Sequence, residues 1–320
     1  MTPNGSAGEG RTPAASPPDL VIVGAASRDI DPADPRGWRL GGAVSYGSIL
    51  AARLGVRVGV LMGLDAPARR ATELELIDAD HATVVPVPLE RGPVFDNVET
   101  ELGRRQVCHQ VSDRLPVTTL PAAWRSAPAF LLAPVAGELG PEWAGAVPPR
   151  ALVGLSWQGL LRELHPGREV VHLPAHPDPL VARADLVGVS REDLRAGGDA
   201  LAELLPRDGQ EMAITAGERG SLHVRRDAGR FRFRCVPAVP TTGEVDPVGA
   251  GDAYLTTWLV ARMPGGPFGA APLSTPRALH LAAVVACLAI EGVGLRGLPD
   301  AGSLARRLYE SRTSSASPGG

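Results

Sequence analysis

Short apolar runs recur along this chain, separated by segments of helical spacing, and this alternation restricts the fold more than any other feature. LVIVGAA (20–26), VRVGVLMGL (56–64), AFLLAPV (129–135), RALVGLS (150–156), EVVHLP (169–174), ADLVGVS (184–190) and EMAITAG (211–217) read as buried strands. Between them, SYGSILAARLG (45–55) reads as a helix stopped by Gly55, and REDLRAGGDALAELLP (191–206) as another helix. AVVACLAIEGVGLRGLP (283–299) reads as a buried helix ending in a Gly-rich turn. Strands separated by helices predict an α/β domain with a mostly parallel central sheet, flanked by helices on both faces. Residues 82–111 behave differently: ATVVPVPLE and RRQVCHQVS alternate, with few helix signals, so this stretch and part of 27–44 are expected to form a small inserted β-element. Gly, Ser, Pro and Ala dominate residues 1–18 and the tail 311–320, which are expected to be disordered, leaving one domain over 19–310.

Composition narrows the chemistry. Hydrophobic residues make up 44% of 320 positions and charged ones 21%, which is ordinary for a globular chain. The net charge is only −3 with dispersed arginines, so no nucleic-acid footprint is expected. All 32 basic side chains are arginine, which excludes a Schiff-base lysine and a GxxxxGK[ST] phosphate loop. Any phosphate must therefore be met by backbone amides, arginine and metal. Cys108, Cys235 and Cys287 are widely spaced, without a CxxC pair, and are expected to be buried free thiols in a reducing compartment. The N-terminus has no apolar signal core and no stretch approaches a membrane span, so a soluble, cytoplasmic protein is expected.

The segment DPVGAGDAYLTTWLVAR, Asp246 to Arg262, carries the sharpest chemical signal. Gly249, Ala250 and Gly251 bring bare backbone to the start of an apolar-periodic helix, where unpaired N–H groups can converge on an anion. Asp252 follows in the first turn. It reads either as a helix N-cap or as a base for a hydroxyl attacking a bound phosphate.

This segment resembles the signature of the ribokinase-like (PfkB) carbohydrate kinases, in which Asp, a hydroxyl residue and a variable residue precede Gly-Ala-Gly-Asp; here Pro247 replaces the hydroxyl residue. The resemblance spans most of residues 19 to 300. It implies a ribokinase-like fold with a small β-lid built from about 27–44 and 82–111, Asp252 as catalytic base, and Gly249 to Gly251 as an anion hole. It further implies ATP and Mg²⁺ as cofactors, ATP lying along 215–220 and 283–299. GGAVSYGSILAARLG (41–55) is similar to the family's first signature, which places Gly41 and Gly42 against substrate, with Tyr46 where many members have Asn. Tyr46 would offer a stacking face. Asp29, with Asp31 as competitor, matches the substrate Asp after the first strand. Phe95, Asp96 and Asn97, followed by Arg104 and Arg105, fall in the lid, where they read equally as substrate contacts or as a solvated hairpin. TAGERG (215–220) is similar to the nucleotide loop, assigning Thr215, Gly217 and Gly220 to the cofactor. Ser190, Glu192 and Asp193 stand where the family has its N-x-x-E motif, so Ser190 would face phosphate and Asp193 metal; a capped acidic helix start explains them as well. His172 and His176 are not expected to bind metal, because the intervening Pro174 breaks helical spacing.

Shorter stretches, GGAVSY, PVAGELGPE, WQGLLR and DPVGAGDAYL, are similar to plant-type myo-inositol kinases, which brings Gln158 and Glu138 into or beside the site. The expectation is an ATP-dependent kinase acting on a hydroxyl of a sugar, a cyclitol such as myo-inositol, or a nucleoside, with no nucleic-acid or membrane partner and homodimerisation through lid strands as an option. The alternatives are an inactive nucleotide- or sugar-binding member of the same fold and a dinucleotide enzyme. The first βα turn, GAASRD, lacks the GxGxxG that the last would need.

Overall fold

A computed structural model describes residues 17–79, 82–100, 103–194 and 201–316. Nine strands form the large sheet: β1 (Leu20–Ala25), β4 (Val58–Leu64), β5 (Ala82–Pro88), β8 (Ala129–Leu132), β9 (Leu152–Ser156), β13 (Leu186–Ser190), β14 (Glu211–Thr215), β15 (Ser221–Asp227) and β16 (Arg230–Val236). Their order is β16-β15-β14-β13-β9-β8-β1-β4-β5. Every pair from β14 to β5 is parallel, and β15 and β16 close one side as an antiparallel hairpin. The parallel strands β1 and β4 are buried along their whole length, because helices cover both faces.

The helices follow from the same pattern. On one face lie α1 (Ala43–Arg53), α6 (Ala250–Arg262) and α7 (Thr275–Ile290), whose apolar side chains make one core cluster with Ile22, Val60 and Leu131. α6 packs unusually close to the sheet. A Cβ at Gly188 or Gly154 would stand 3.0 and 3.1 Å from the side chains of Leu255 and Leu259, so those two strand glycines let the helix down onto β13 and β9. The opposite face is covered by shorter pieces, α3 (Trp143–Ala146), α4 (Pro179–Arg183) and α5 (Leu201–Leu204), around Trp143, Trp157 and Leu180. α2 (Leu74–Ala79) and α8 (Ala301–Ala316) complete the helices among the described residues.

A second, five-stranded sheet has the order β11-β7-β6-β2-β3, from β2 (Ser27–Ile30), β3 (Trp38–Gly41), β6 (Val94–Thr100), β7 (Gly103–Gln110) and β11 (Arg168–Glu169). Three sequence expectations change here. Residues 82–88 belong to the large sheet as its edge strand, paired in parallel with β4, so the small sheet takes over only from Val94. An edge strand is half exposed and tolerates Pro86 and Pro88, which is why it alternates like an insert. EVVHLP is not a strand of the large sheet: Glu169 ends β11, and β12 (Val171–His172) pairs with β10 (Arg162–Glu163) in a separate ribbon. The chain also remains helical through Ala316, past the expected break near Ser311.

The expected N-terminal tail, apart from Pro17 and Pro18, lies outside the described residues, as does the middle of the expected 191–206 helix. The thiols are free, but Cys235 is exposed on β16 rather than buried. Among the described residues no helix is long and apolar enough to cross a membrane.

Candidate active site

The carboxyl ends of the parallel strands open into a cavity of about 940 Å³, roofed by the small sheet and by β10 and β12. Ser27 beyond β1, Val135 beyond β8, Ser156 at the end of β9, Ser190 at the end of β13 and Thr215 at the end of β14 all line it. This is where an open α/β sheet presents ligands, because each strand ends there and its loop is free to diverge.

α6 points its N-terminus into this cavity. Gly249 caps the helix at φ 83° in the left-handed region, and a Cβ there would fall 2.2 Å from the ring of Tyr46, so only glycine fits. Gly249, Gly251 and Asp252 line the cavity. Ala250 does not, and its N–H turns back to the Pro247 carbonyl at 3.3 Å, so the open amides at this helix start come from Gly251 and Asp252.

The Asp252 carboxyl, facing the cavity, is pushed up to about 7, mainly by burial and further by the charges of Asp193 and Asp29. Arg162 and a hydrogen bond with Ser156 oppose the rise. A carboxyl near 7 changes protonation in the neutral range, which suits a group that must take a proton and later release it.

On the other side of the cavity sits Asp29, 8% exposed, accepting a hydrogen bond from Ser27 Oγ at 3.0 Å. Gly41 does not line the cavity; it backs onto Asp29, where a Cβ would fall 2.2 Å from Oδ2. Gly42 does line it, at φ 89°. Phe95 and Asn97 reach in from β6, Asn97 accepting from Gln106 Nε2 at 2.6 Å, whereas Asp96 is not among the lining residues. Arg105 does not line the cavity but pairs at 3.7 Å with Glu169, which does, and the Arg104 side chain lies outside the described ones. Tyr46, 3% exposed, lines the cavity, and its ring lies against Gly249. Burial, with Asp29 and Asp246 nearby, raises the phenol's pKa and keeps it neutral.

Between the two sides lies a buried polar hub. Asp193, 3% exposed, accepts from Ser190 Oγ at 2.7 Å and from Gln158 Nε2 at 2.8 Å, and faces Arg162 at 3.5 Å and His172 at 3.3 Å. Four side chains of the protein thus surround the carboxylate expected to face metal. No cluster of three or more His, Cys, Asp or Glu suited to a metal occurs among the described residues. Glu192 lines the cavity as an exposed carboxylate at its rim, of the type that could hold Mg²⁺.

Glu138 does not line the cavity but supports it. It is fully buried and accepts backbone N–H groups from Ala25 at 2.8 Å, Ala136 at 2.8 Å and Val135 at 3.1 Å, tying the end of β1 to the loop after β8. Burial raises its pKa against those bonds. Thr215 lines the cavity, whereas Gly217 and Gly220 only shape the β14–β15 turn beside it, at φ 56° and 78°.

Arg162, Ser156, Ser27 and His172 also line the cavity, and no sequence motif marks them as site residues. Arg162 closes the WQGLLR segment, but nothing local distinguishes an arginine bound for a cavity, 5% exposed, from a surface one.

No protein-family model and no curated protein matches the chain. Solved structures do. A pyrophosphate-dependent kinase in the ribokinase family, complexed with a pyrophosphate analog and myo-inositol, is 18% identical over 87% of this chain and 98% of its own, with a TM-score of 0.66. Ribokinase of Arabidopsis thaliana, complexed with ribose and ATP, is 17% identical over 91% and 99%, TM-score 0.60. Ribokinase of Thermotoga maritima is 14% identical over 91% and 99%, TM-score 0.63. Identities this low speak to architecture: the chain has the mostly parallel α/β sheet expected from its pattern and the ribokinase-like fold that its resemblance implied.

Proposed function

We propose that this protein transfers a phosphoryl group to a hydroxyl of a polyhydroxylated small molecule, a sugar, a cyclitol such as myo-inositol, or a nucleoside. The observation that carries the reading is the placement of a desolvated carboxyl, Asp252, beside the open amides of the α6 start and in one cavity with Asp29 and Asn97. Asp29 and Asn97 hold acceptor hydroxyls, Asp252 takes the proton from the attacking one, and the α6 amides stabilise charge on the phosphoryl group. Glu192 would hold Mg²⁺, which would supply to the donor phosphates the positive charge that no lysine provides. Closure of the small sheet would exclude water. An inactive binding protein of the same fold remains the alternative that the test separates.

The expected donor is ATP. A second reading, inorganic pyrophosphate, is favoured by one observation. Of the segments expected to hold the nucleotide, 215–220 and 283–299, only Thr215 lines the cavity. The neighbouring strand-to-helix segment is fastened onto the end of α7: Glu291 accepts from Thr241 Oγ1 at 3.0 Å and Thr242 N at 2.9 Å, and Val245 N donates to the Ile290 carbonyl at 2.8 Å. A compact anion needs the amides without a base slot, and the similar pyrophosphate-dependent kinase uses such a donor.

The test is phosphorus NMR of product formation with ATP–Mg²⁺ and with pyrophosphate–Mg²⁺, across myo-inositol, other cyclitols, ribose, hexoses and nucleosides. Asp252→Asn serves as the control. Product formed with one acceptor class and lost in the control is the expected result. Absence of product with either donor, beside measurable donor binding, would move the protein to the binding alternative.

A further inference from the structure

Asp246 opens the loop that leads into α6, and its buried carboxylate ties that loop to two distant elements. Oδ1 accepts from Val248 N at 3.0 Å, fixing the turn just ahead of Gly249. Oδ2 accepts from Gly294 N at 3.1 Å, beyond α7, and from Arg39 Nη1 at 2.9 Å. Arg39 belongs to β3 of the small sheet, directly opposite Asp29 in the β2–β3 register. Side chains opposite each other on paired strands share a face, so the small sheet directs Asp29 and Arg39 to the same side. Arg39 is also 3.8 Å from Asp31. Burial alone would lower its pKa, but Asp246, Tyr46 and Asp31 outweigh that and raise it. Tyr46, whose ring lies on Gly249, is near enough to Asp29, Asp246 and Arg39 to feel their charges.

We infer that Arg39 is a positioning residue: its bridge to Asp246 locks the amide array at the start of α6 to the strand pair that carries Asp29. This deepens the phosphoryl-transfer reading and rests on it. Gly249, Ala250 and Gly251 carry no polar side chain with which to hold their own backbone. The loop's orientation is therefore set by what grips Asp246, and one of those grips comes from the small sheet. Acceptor placement and phosphoryl stabilisation are then aligned by one salt bridge, 29% and 9% exposed at its two side chains, rather than by two independent elements.

The experiment compares wild type with Arg39→Ala and Arg39→Lys by steady-state kinetics, and by amide hydrogen exchange over 246–252. Loosening the loop by ~1 Å predicts a kcat loss of about 100-fold in Arg39→Ala with little change in acceptor KM. Partial recovery is expected in Arg39→Lys and on adding guanidinium ion. Faster exchange should be confined to 246–252, with the thermal midpoint close to wild type. Unchanged kcat, a loss lying entirely in KM, or unaltered exchange over 246–252 would overturn the inference. The exchange measurement needs no turnover, so a wild-type protein that transfers no phosphoryl group would sink the kinase reading while still deciding the latch.

Discussion

Replacing Asp252 by Asn should make this protein more stable and inactive at once. An ordinary aspartate ionises at 3.8, whereas burial holds the Asp252 carboxyl near 7. Because the folded state keeps its proton to higher pH than the unfolded chain does, the folded state loses relative stability as pH rises from the unfolded value toward the folded one. Above the folded value the penalty is complete. At 1.36 kcal/mol per pKa unit the full difference corresponds to ~4 kcal/mol. Solvent reaching the cavity-facing side of the carboxylate screens part of it, so a gain of ~2 kcal/mol is expected for Asp252→Asn at about pH 8, vanishing below the ordinary carboxyl value. Urea denaturation of wild type and variant across this range reads the difference directly. Wild-type kcat/KM should in parallel rise with pH through an inflection near 7, since the base must be ionised, and the variant should show no turnover. A variant no more stable than wild type in alkaline buffer would refute the desolvation argument. A flat pH–rate profile would refute the assignment of the base.

Other outcomes follow from the same geometry. Arg162→Met removes the group that most lowers the Asp252 pKa, so the kcat/KM inflection should move to higher pH; an inflection that stays in place would show that Arg162 does not act on this carboxyl. Gly249→Ala sets a methyl 2.2 Å from the Tyr46 ring on left-handed backbone. A cost of about 3 kcal/mol in urea unfolding is expected for it. Gly251→Ala meets nothing within 4 Å and should fold normally, so equal destabilisation of the two would contradict this packing. Glu138→Gln puts an amide where a carboxylate accepts several backbone N–H groups. It should lower unfolding free energy by about 2–3 kcal/mol, and an unchanged thermal midpoint would count against that role.

The α/β order and the small-residue start of α6 were legible because both are local. Burial on both faces makes β1 and β4 continuous apolar runs, and small residues at the start of an apolar helix identify α6 without reference to the rest of the chain. Legibility failed where the pattern has two physical causes. Alternation in 82–88 comes from an edge strand of the large sheet, and the same alternation would mark an inserted hairpin. The acids at Glu192 and Asp193 look alike in sequence, yet one is exposed at the rim and the other is enclosed by Arg162, His172, Gln158 and Ser190. Tyr46 could be placed near the site, but the object its ring covers, Gly249, lies about two hundred residues away along the chain.

From the sequence alone came the strand–helix alternation, the absence of lysine and the amide-rich start of α6, all properties of a residue and its immediate neighbours. Only the tertiary structure decided that Asp252 is desolvated, that Arg162 is turned inward, and that Arg39 reaches Asp246 across 207 positions. The reason is physical. Ionisation and ion pairing depend on the dielectric and the charges within a few ångströms, and which groups come that close is set by how the sheets and helices pack.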